Sequence, residues 1–405
     1  MTLLTDKPTT HVDPQSTVGL PPEESRAARL TSFEVSDFPV PNGREEEWRF
    51  TPVDRLGGVF ADESDDDREG DYAADYDVSG VLDLMGPSLA PGQAPRGTVL
   101  VPGDRGAVVA SAHCAEALYL KLEAEKEYDE PLRVNVHGNG AGRLSSAHYV
   151  VEAGHHSKAL LILDHTGSAD HRGNLEVIVG EGADLTVVTL QRWEDDAVHL
   201  GQHDAQVGRD ATYKHIAVSL GGSIVRVNSN VRYDGPGGDA TLLGVYFADA
   251  GQHLEHRSFV DHNTPHTNSL VTYKGALQGD GAHTVWVGDV LIRKEAEGID
   301  TYELNRNLVL TDGARADSVP NLEIETGEIA GAGHASSTGR FDDEQLFYLM
   351  SRGIDETNAR RLVVRGFFAD IIAKIGVPEV VDTLMAAIEE ELATDMASED
   401  MAATA

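Results

Sequence analysis

From about Gly97 onward the apolar residues fall in short runs bounded by Gly, Asp or Asn. Examples are Ala159 to Leu163, Leu175 to Val179, Leu185 to Leu190, Ile224 to Val231, Leu242 to Phe247 and Val285 to Ile292. Runs of this kind predict β-strands. No long pattern at helical spacing separates them, which disfavours a doubly wound α/β sheet and leaves strands to stack on strands. A turn ending in alanine recurs as Gly180-Glu181-Gly182-Ala183, Gly208-Arg209-Asp210-Ala211, Gly237-Gly238-Asp239-Ala240, Gly279-Asp280-Gly281-Ala282 and Thr311-Asp312-Gly313-Ala314, each leading into a β-like run. Repetition at roughly 30-residue intervals marks coil-on-coil stacking, in which each rung buries its apolar edge against its neighbours. The pattern predicts a mainly β chain with a β-solenoid core; a jelly roll or sandwich is the alternative.

The period changes after His334, where three helices are predicted. The first is capped by Asp342, with Gln345 in the reciprocal position of a capping box, and ends at Gly353. The second runs from about Asp355 to Lys374 with Val364, Phe367, Phe368, Ile371, Ile372 and Ile375 on one apolar face, and Gly376 stops it. Pro378 opens the third, which carries Val380, Val381, Leu384, Met385, Ile388 and Leu392. At the other end, residues 1 to about 20 are polar and expected to be disordered, and Pro21-Pro22-Glu23-Glu24 opens a short helix. Trp48 and Phe50 offer anchors for a small N-terminal region, and the acidic run Asp62 to Glu69 reads as a solvated loop. The expected division is an N-terminal region over 1–96, a β core over 97–335 and a C-terminal helical region over 336–405.

Charge and cysteine content narrow the function. A chain of 405 residues with a formal charge of -36 lacks the basic face that phosphate backbones or anionic membranes require. No apolar run reaches the roughly 20 residues needed to span a bilayer, and Met1 to Leu20 has no signal core, so a soluble cytoplasmic protein is expected. Cys114 is the single cysteine, which excludes an internal disulfide framework and a multi-cysteine zinc site, and weighs against a cluster held by this chain alone. Its surroundings suggest a small buried hydrophobe in a helix. Phosphate-loop, nucleophile-elbow and HExxH patterns are all missing from the sequence. A polysaccharide-acting β-helix enzyme, which needs carboxylates on adjacent rungs, is a lesser alternative.

Fifteen of the seventeen histidines lie between His137 and His334. Imidazole is the commonest metal ligand, so His253, His256, His262 and His266 invite a metal reading beside a structural one. On a strand His253 and His256 fall on opposite faces, whereas His262 and His266 share one if Pro265 does not break it. Asn305 and Asn307 share a face, where amides can satisfy one another. Gly331, Ala332, Gly333 and Ala335 leave little bulk to cover His334, which is expected to be exposed to a partner or an ion.

Four segments carry a family resemblance: Pro320-Asn321-Leu322-Glu323-Ile324, His334 to Arg340, Asp342 to Gly353 and Asn305-Arg306-Asn307-Leu308. They resemble the SufB/SufD family, scaffold proteins of iron-sulfur cluster assembly. The likeness runs from roughly Leu100 to Ile375, and Glu47-Trp48-Arg49-Phe50-Thr51 is similar to a signature of the SufD side. The resemblance implies a right-handed parallel β-helix and a non-catalytic subunit of the SUF system. Such a subunit pairs with SufB and binds the ABC-type ATPase SufC through the C-terminal helices. The SufC-binding residues are then Asp342, Phe347, Tyr348, Arg352, Phe367 and Phe368. It also implies a transient iron-sulfur cluster or iron at the SufB interface, with His334 as candidate ligand. Family members often show Cys-Ser-His where this chain has Ala332-Gly333-His334, and glutamine where it has Glu303. A homodimer, or a homomeric structural or metal-binding solenoid without SufC, is the reading from another class.

Overall fold

A computed structural model describes residues 29–66, 71–80, 84–341 and 343–389. The polar N-terminus, the Pro21 helix start, the end of the acidic run and the cap Asp342 lie outside the described residues. Three short 3-10 turns (Val35–Asp37, Glu46–Trp48, Val53–Arg55) lead to β1 (Ala74–Ser79) and α1 (Arg105–His113). Then come β2 (Leu118–Leu122), β3 (Leu132–Ala153), β4 (Lys158–Val179), β5 (Asp184–Trp193), β6 (Val198–Val207), β7 (Thr212–Ser219), β8 (Ile224–Tyr233) and β9 (Asp239–Ala248). The series continues through β10 (His253–His262), β11 (Asn268–Leu277), β12 (His283–Ile292), β13 (Asp300–Val309), β14 (Arg315–Ile324) and β15 (Gly331–Arg340). Helices α2 (Asp343–Ser351) and α3 (Glu356–Ile375) follow, and a further helical run covers 378–389.

The strands wind into a parallel β-solenoid. Hydrogen-bonded order runs β14-β12-β10-β8-β6-β4-β5-β7-β9-β11-β13-β15, so even strands stack on one face and odd strands on the other. The long strand β4 turns the corner itself, pairing with β5 through its first half and β6 through its second. This arrangement explains the alanine turns. Ala183 and Ala211 precede β5 and β7 at one corner, whereas Ala282 and Ala314 precede β12 and β14 at the other. The wide gap between Ala240 and Ala282 is therefore a change of corner within one regular winding.

Both faces of both sheets are covered, which is why the strands read as continuous apolar runs instead of alternating ones. The lumen is filled by residues such as Val136, Leu161, Val187, Tyr213, Val227, Tyr246, Tyr273 and Trp286. Outside, Trp48, Leu56, Val59 and Phe60 pack on Val198, Leu200 and Ile224 of the even sheet. The odd sheet is covered by Val364, Phe368, Ile371 and Ile375 of α3 with Val380, Leu384 and Ile388, which rest on Val188, Ile216, Val218, Leu243 and Val245. The predicted helix ends hold: Asp355 caps α3 by accepting from the Asn358 amide at 3.0 Å, and Gly376 stops it at φ +67°. Burial thins out at the last coil, where β14 and β15 are half-buried to exposed.

The acidic run departs from the expectation of a solvated loop. Asp65 accepts from the amide and hydroxyl of Ser146 at 2.8 and 2.5 Å, and Asp66 accepts from the Leu144 amide at 2.8 Å. These carboxylates satisfy main-chain donors at the bulge of β3 between Asn139 and Leu144, where the ladder to β4 is interrupted.

Candidate functional site

The last coil is the open end of the solenoid. Each of β14 and β15 has one strand neighbour in the sheet order and so presents a free edge. Parallel register stacks Glu303, Asn305 and Asn307 of β13 under His334, Ser336 and Thr338 of β15. His334 is exposed, as its small neighbours predicted. Beneath it the two asparagines are buried and bonded to each other. Asn307 Nδ2 donates to Asn305 Oδ1 at 2.8 Å, Asn305 Nδ2 donates to the Tyr246 hydroxyl at 2.9 Å, and that hydroxyl donates to Asn307 Oδ1 at 2.8 Å. Ser318 of β14 closes the set through its hydroxyl to Asn305 Oδ1 at 2.6 Å. The ring of Tyr246 has room because residue 275 on the next strand is glycine; a Cβ there would lie 1.8 Å from Tyr246 Cε2.

Glu303, the third residue of this row, is different. It is 1% exposed, and neither carboxylate oxygen has a hydrogen-bond partner among the described residues. Desolvation, reinforced by Asp289, pushes its carboxyl up to about 8.

His253 and His256 fall on opposite faces, as their spacing predicted, whereas His262 and His266 do not share one. His262 ends β10, bonded to Thr267 and Ser269 at 2.7 and 3.0 Å. His266 lies in the next turn at φ +57° and is exposed, so Pro265 does break the strand and the pair shares no face. His256 stacks on Tyr246 inside the lumen, while His253 joins a charged network on the even sheet. Three others meet instead: His165, His171 and His199 offer ligand atoms within 4.8 Å of one another, fully buried. His171 and His199 are register partners one coil apart, a signal visible only after the coils are aligned. The hydrogen bonds decide what this cluster can do. His165 Nδ1 donates to the Leu190 carbonyl at 3.1 Å, leaving Nε2 with a lone pair. Trp193 Nε1 donates to His199 Nδ1 at 3.0 Å, which leaves the proton of the neutral ring on Nε2. His199 thus presents a donor where a metal needs a lone pair, and the cluster is built as lumen packing.

The even sheet carries a buried ionic network that the sequence did not reveal. Arg226 of β8 donates to Asp104 at 2.7 Å and to Glu255, its register partner on β10, at 3.3 Å, with its guanidinium 3.9 Å from the Trp48 ring centre. Thr51 donates to Glu255 at 2.6 Å, and the Glu47 carbonyl accepts from Arg226 and Arg257. Desolvation opposes ionisation of Glu255, but His253, Arg226 and Arg257 outweigh it and hold the carboxyl well below its usual range. The segment Glu47 to Thr51 is therefore the clamp that fixes the N-terminal region to the solenoid; within it Trp48 is buried and Phe50 only half-buried.

The chain matches the family model "SUF system FeS cluster assembly, SufBD core domain" over residues 136–367. It is 52% identical over 369 residues to the iron-sulfur cluster assembly SufBD family protein Rv1462 of Mycobacterium tuberculosis, covering 90% of this chain and 92% of that protein. The chain belongs to the SufBD family. Two family proteins of Mycobacterium leprae are also similar to it: ML0594 at 51% over 90% of this chain and 93% of its own length, and ML0593 at 29% over 51% and 23%. The SufBD core match runs from β3 into α3, so the open coil and α2 lie inside it.

Within this SufBD chain the residues singled out for a partner fall into two groups. Phe347 and Tyr348 on α2 are 73% and 56% exposed, and Arg352 lies 5.0 Å over the Tyr348 ring. Asp342 is outside the described residues. Phe368, in contrast, is fully buried and Phe367 half-buried, because α3 turns this pair toward the odd sheet. Phe368 therefore stands on no free surface. Cys114 caps the C-terminus of α1, and burial raises its thiol, which removes it from thiolate chemistry.

Proposed function

We propose that this SufBD protein is the SufD-type subunit of a cytoplasmic SUF scaffold, without catalytic activity of its own. It pairs with SufB through the last coil, docks the ATPase SufC on α2, and presents His334 to a nascent cluster carried between the subunits as cargo. The observation that supports this reading most directly is the placement of an exposed histidine on an unpaired strand edge. Such edges are templates for pairing, and this one carries a metal-binding side chain. Similarity to two different SufBD proteins of one organism, at 51% and 29%, favours a pair of unlike subunits over a homomer.

Co-expression with SufB and SufC from one source, followed by size exclusion with masses determined, tests the assignment. The expected result is a complex containing all three chains. Phe347→Ala with Tyr348→Ala should release SufC and leave SufB bound. A chain eluting as its own dimer, with neither partner, would replace this reading by the homomeric solenoid.

A further inference from the structure

We propose that Glu303 and His334 together form a divalent-cation site in the mouth of the last coil, one carboxylate and one imidazole from register partners on β13 and β15. The proposal deepens the reading of His334 as a ligand and rests on it. Register partners on parallel strands lie about 4.8 Å apart and point to the same side. A cation bound by the imidazole therefore has Glu303 as the next side chain inward.

Three observations carry the assignment. Both oxygens of Glu303 are buried without a hydrogen-bond partner among the described residues, which is a costly state for a polar group and calls for a missing partner. The two amides of its own row do not supply one: Asn305 and Asn307 bond each other, Tyr246 and Ser318. The carboxylate itself has room because residue 288 is glycine, where a Cβ would lie 2.8 Å from Glu303 Oε1. Above, the backbone of Gly333 and the exposure of His334 leave the coil end accessible to solvent. The ligand pair, one nitrogen and one carboxylate, suits iron(II), cobalt(II) or zinc(II) better than magnesium. Water or a group from a partner subunit completes the shell, and the carboxyl proton passes to solvent when the cation binds.

The test uses the purified full chain and cobalt(II), with excess magnesium to occupy the many surface carboxylates, read by calorimetry and by the cobalt absorption spectrum. One site is expected in the wild type, abolished by His334→Ala and weakened at least about tenfold by Glu303→Gln, in line with the loss of a metal-supporting carboxylate. Both variants should melt close to the wild type, since one side chain is exposed and the other makes no hydrogen bond. Loss of the site in His334→Ala with unchanged affinity in Glu303→Gln would overturn the role of Glu303 while His334 keeps its own. Unchanged affinity in both, or no magnesium-resistant site in the wild type, would remove the cation site altogether. The co-elution of partners is read separately, so failure here is distinguishable from failure of the scaffold assignment.

Discussion

His253 and His283, stacked on adjacent coils of the even sheet, are hydrogen-bonded to each other through their Nδ1 atoms at 3.1 Å. Each Nε2 faces a carboxylate, Glu255 at 3.1 Å and Asp317 at 2.7 Å. With both carboxylates ionised, each Nε2 must donate and the central contact needs one proton more. That proton would put one positive charge on the pair between two anions, and burial of His283 opposes it more than the Asp317 contact favours it. The row joins the clamp at Thr51 to the open coil at Asp317, across β10, β12 and β14. His283→Ala leaves His253 Nδ1 without its partner, while Glu255 still holds His253 Nε2 and Arg315 still holds Asp317, and should cost about 1–3 kcal/mol. Nitrogen-15 labelling provides a direct check: a scalar coupling between the two Nδ1 nuclei is expected, and its absence in the wild type would show that the bond is not formed.

Arg226 is predicted to be the most sensitive single position of the N-terminal clamp. Its guanidinium is nearly fully buried between Asp104 and Glu255, so Arg226→Ala leaves two carboxylates facing each other in a dry interface. Removing one member of a buried ionic set typically costs about 3–5 kcal/mol. Arg226→Met, which keeps volume but not charge, should be equally destabilising unless Glu255→Gln accompanies it. Denaturant midpoints of the single and double variants give the coupling; additive losses would contradict the network.

The C-terminal helices should separate stability from binding. Phe368→Ala removes a fully buried ring from the contact between α3 and the odd sheet and should cost about 3–5 kcal/mol. Phe347→Ala and Tyr348→Ala remove exposed rings and should change stability by no more than about 0.5 kcal/mol. Melting curves beside SufC pull-downs test both halves. SufC binding unaffected by both α2 variants would move the docking surface off this helix.

How much of this was legible follows from where each signal lives. The coils could be read because parallel strands covered on both faces leave uniform apolar runs between Gly- and Asp-rich turns, as from Gly180 to Leu190. Helix ends were legible at Asp355, Gly353 and Gly376 because caps are local chemistry. The apolar stripe of α3 was visible too, but not what it covers, so Phe368 was assigned to a partner when it belongs to the solenoid. Arg226 and Glu255, or His171 and His199, meet only because winding places them one coil apart. No local pattern marks such pairs until the register is known.

Acid should unfold the protein earlier than its carboxylates alone would require. His165 and His215 are pushed down to about 4 and His256 and His262 to about 3 by desolvation. Burial, with repulsion between neighbouring rings, holds His171, His199 and His203 well below the ordinary value. The folded state keeps these seven rings neutral, while the unfolded chain takes up protons below about pH 6.5. Their contribution is therefore complete above that pH and is lost as pH falls toward the folded values. Four carboxyls act in the opposite sense: burial raises Asp170 and Asp239, Asp204 to about 7 and Glu303 to about 8, so each favours the folded state more as pH falls toward 4. A ring kept neutral through this range loses up to about 2 kcal/mol between pH 6.5 and 5, and the buried histidines outnumber the raised carboxyls. The net effect is a loss of stability as pH falls below about 6.5, large against the few kcal/mol by which a domain is stable. Thermal melting from pH 8 to 5 should show a steep fall below pH 6.5, less steep in His262→Gln. A melting temperature that stays level down to pH 5 would mean that the lumen histidines are solvated or paired in ways this packing does not provide.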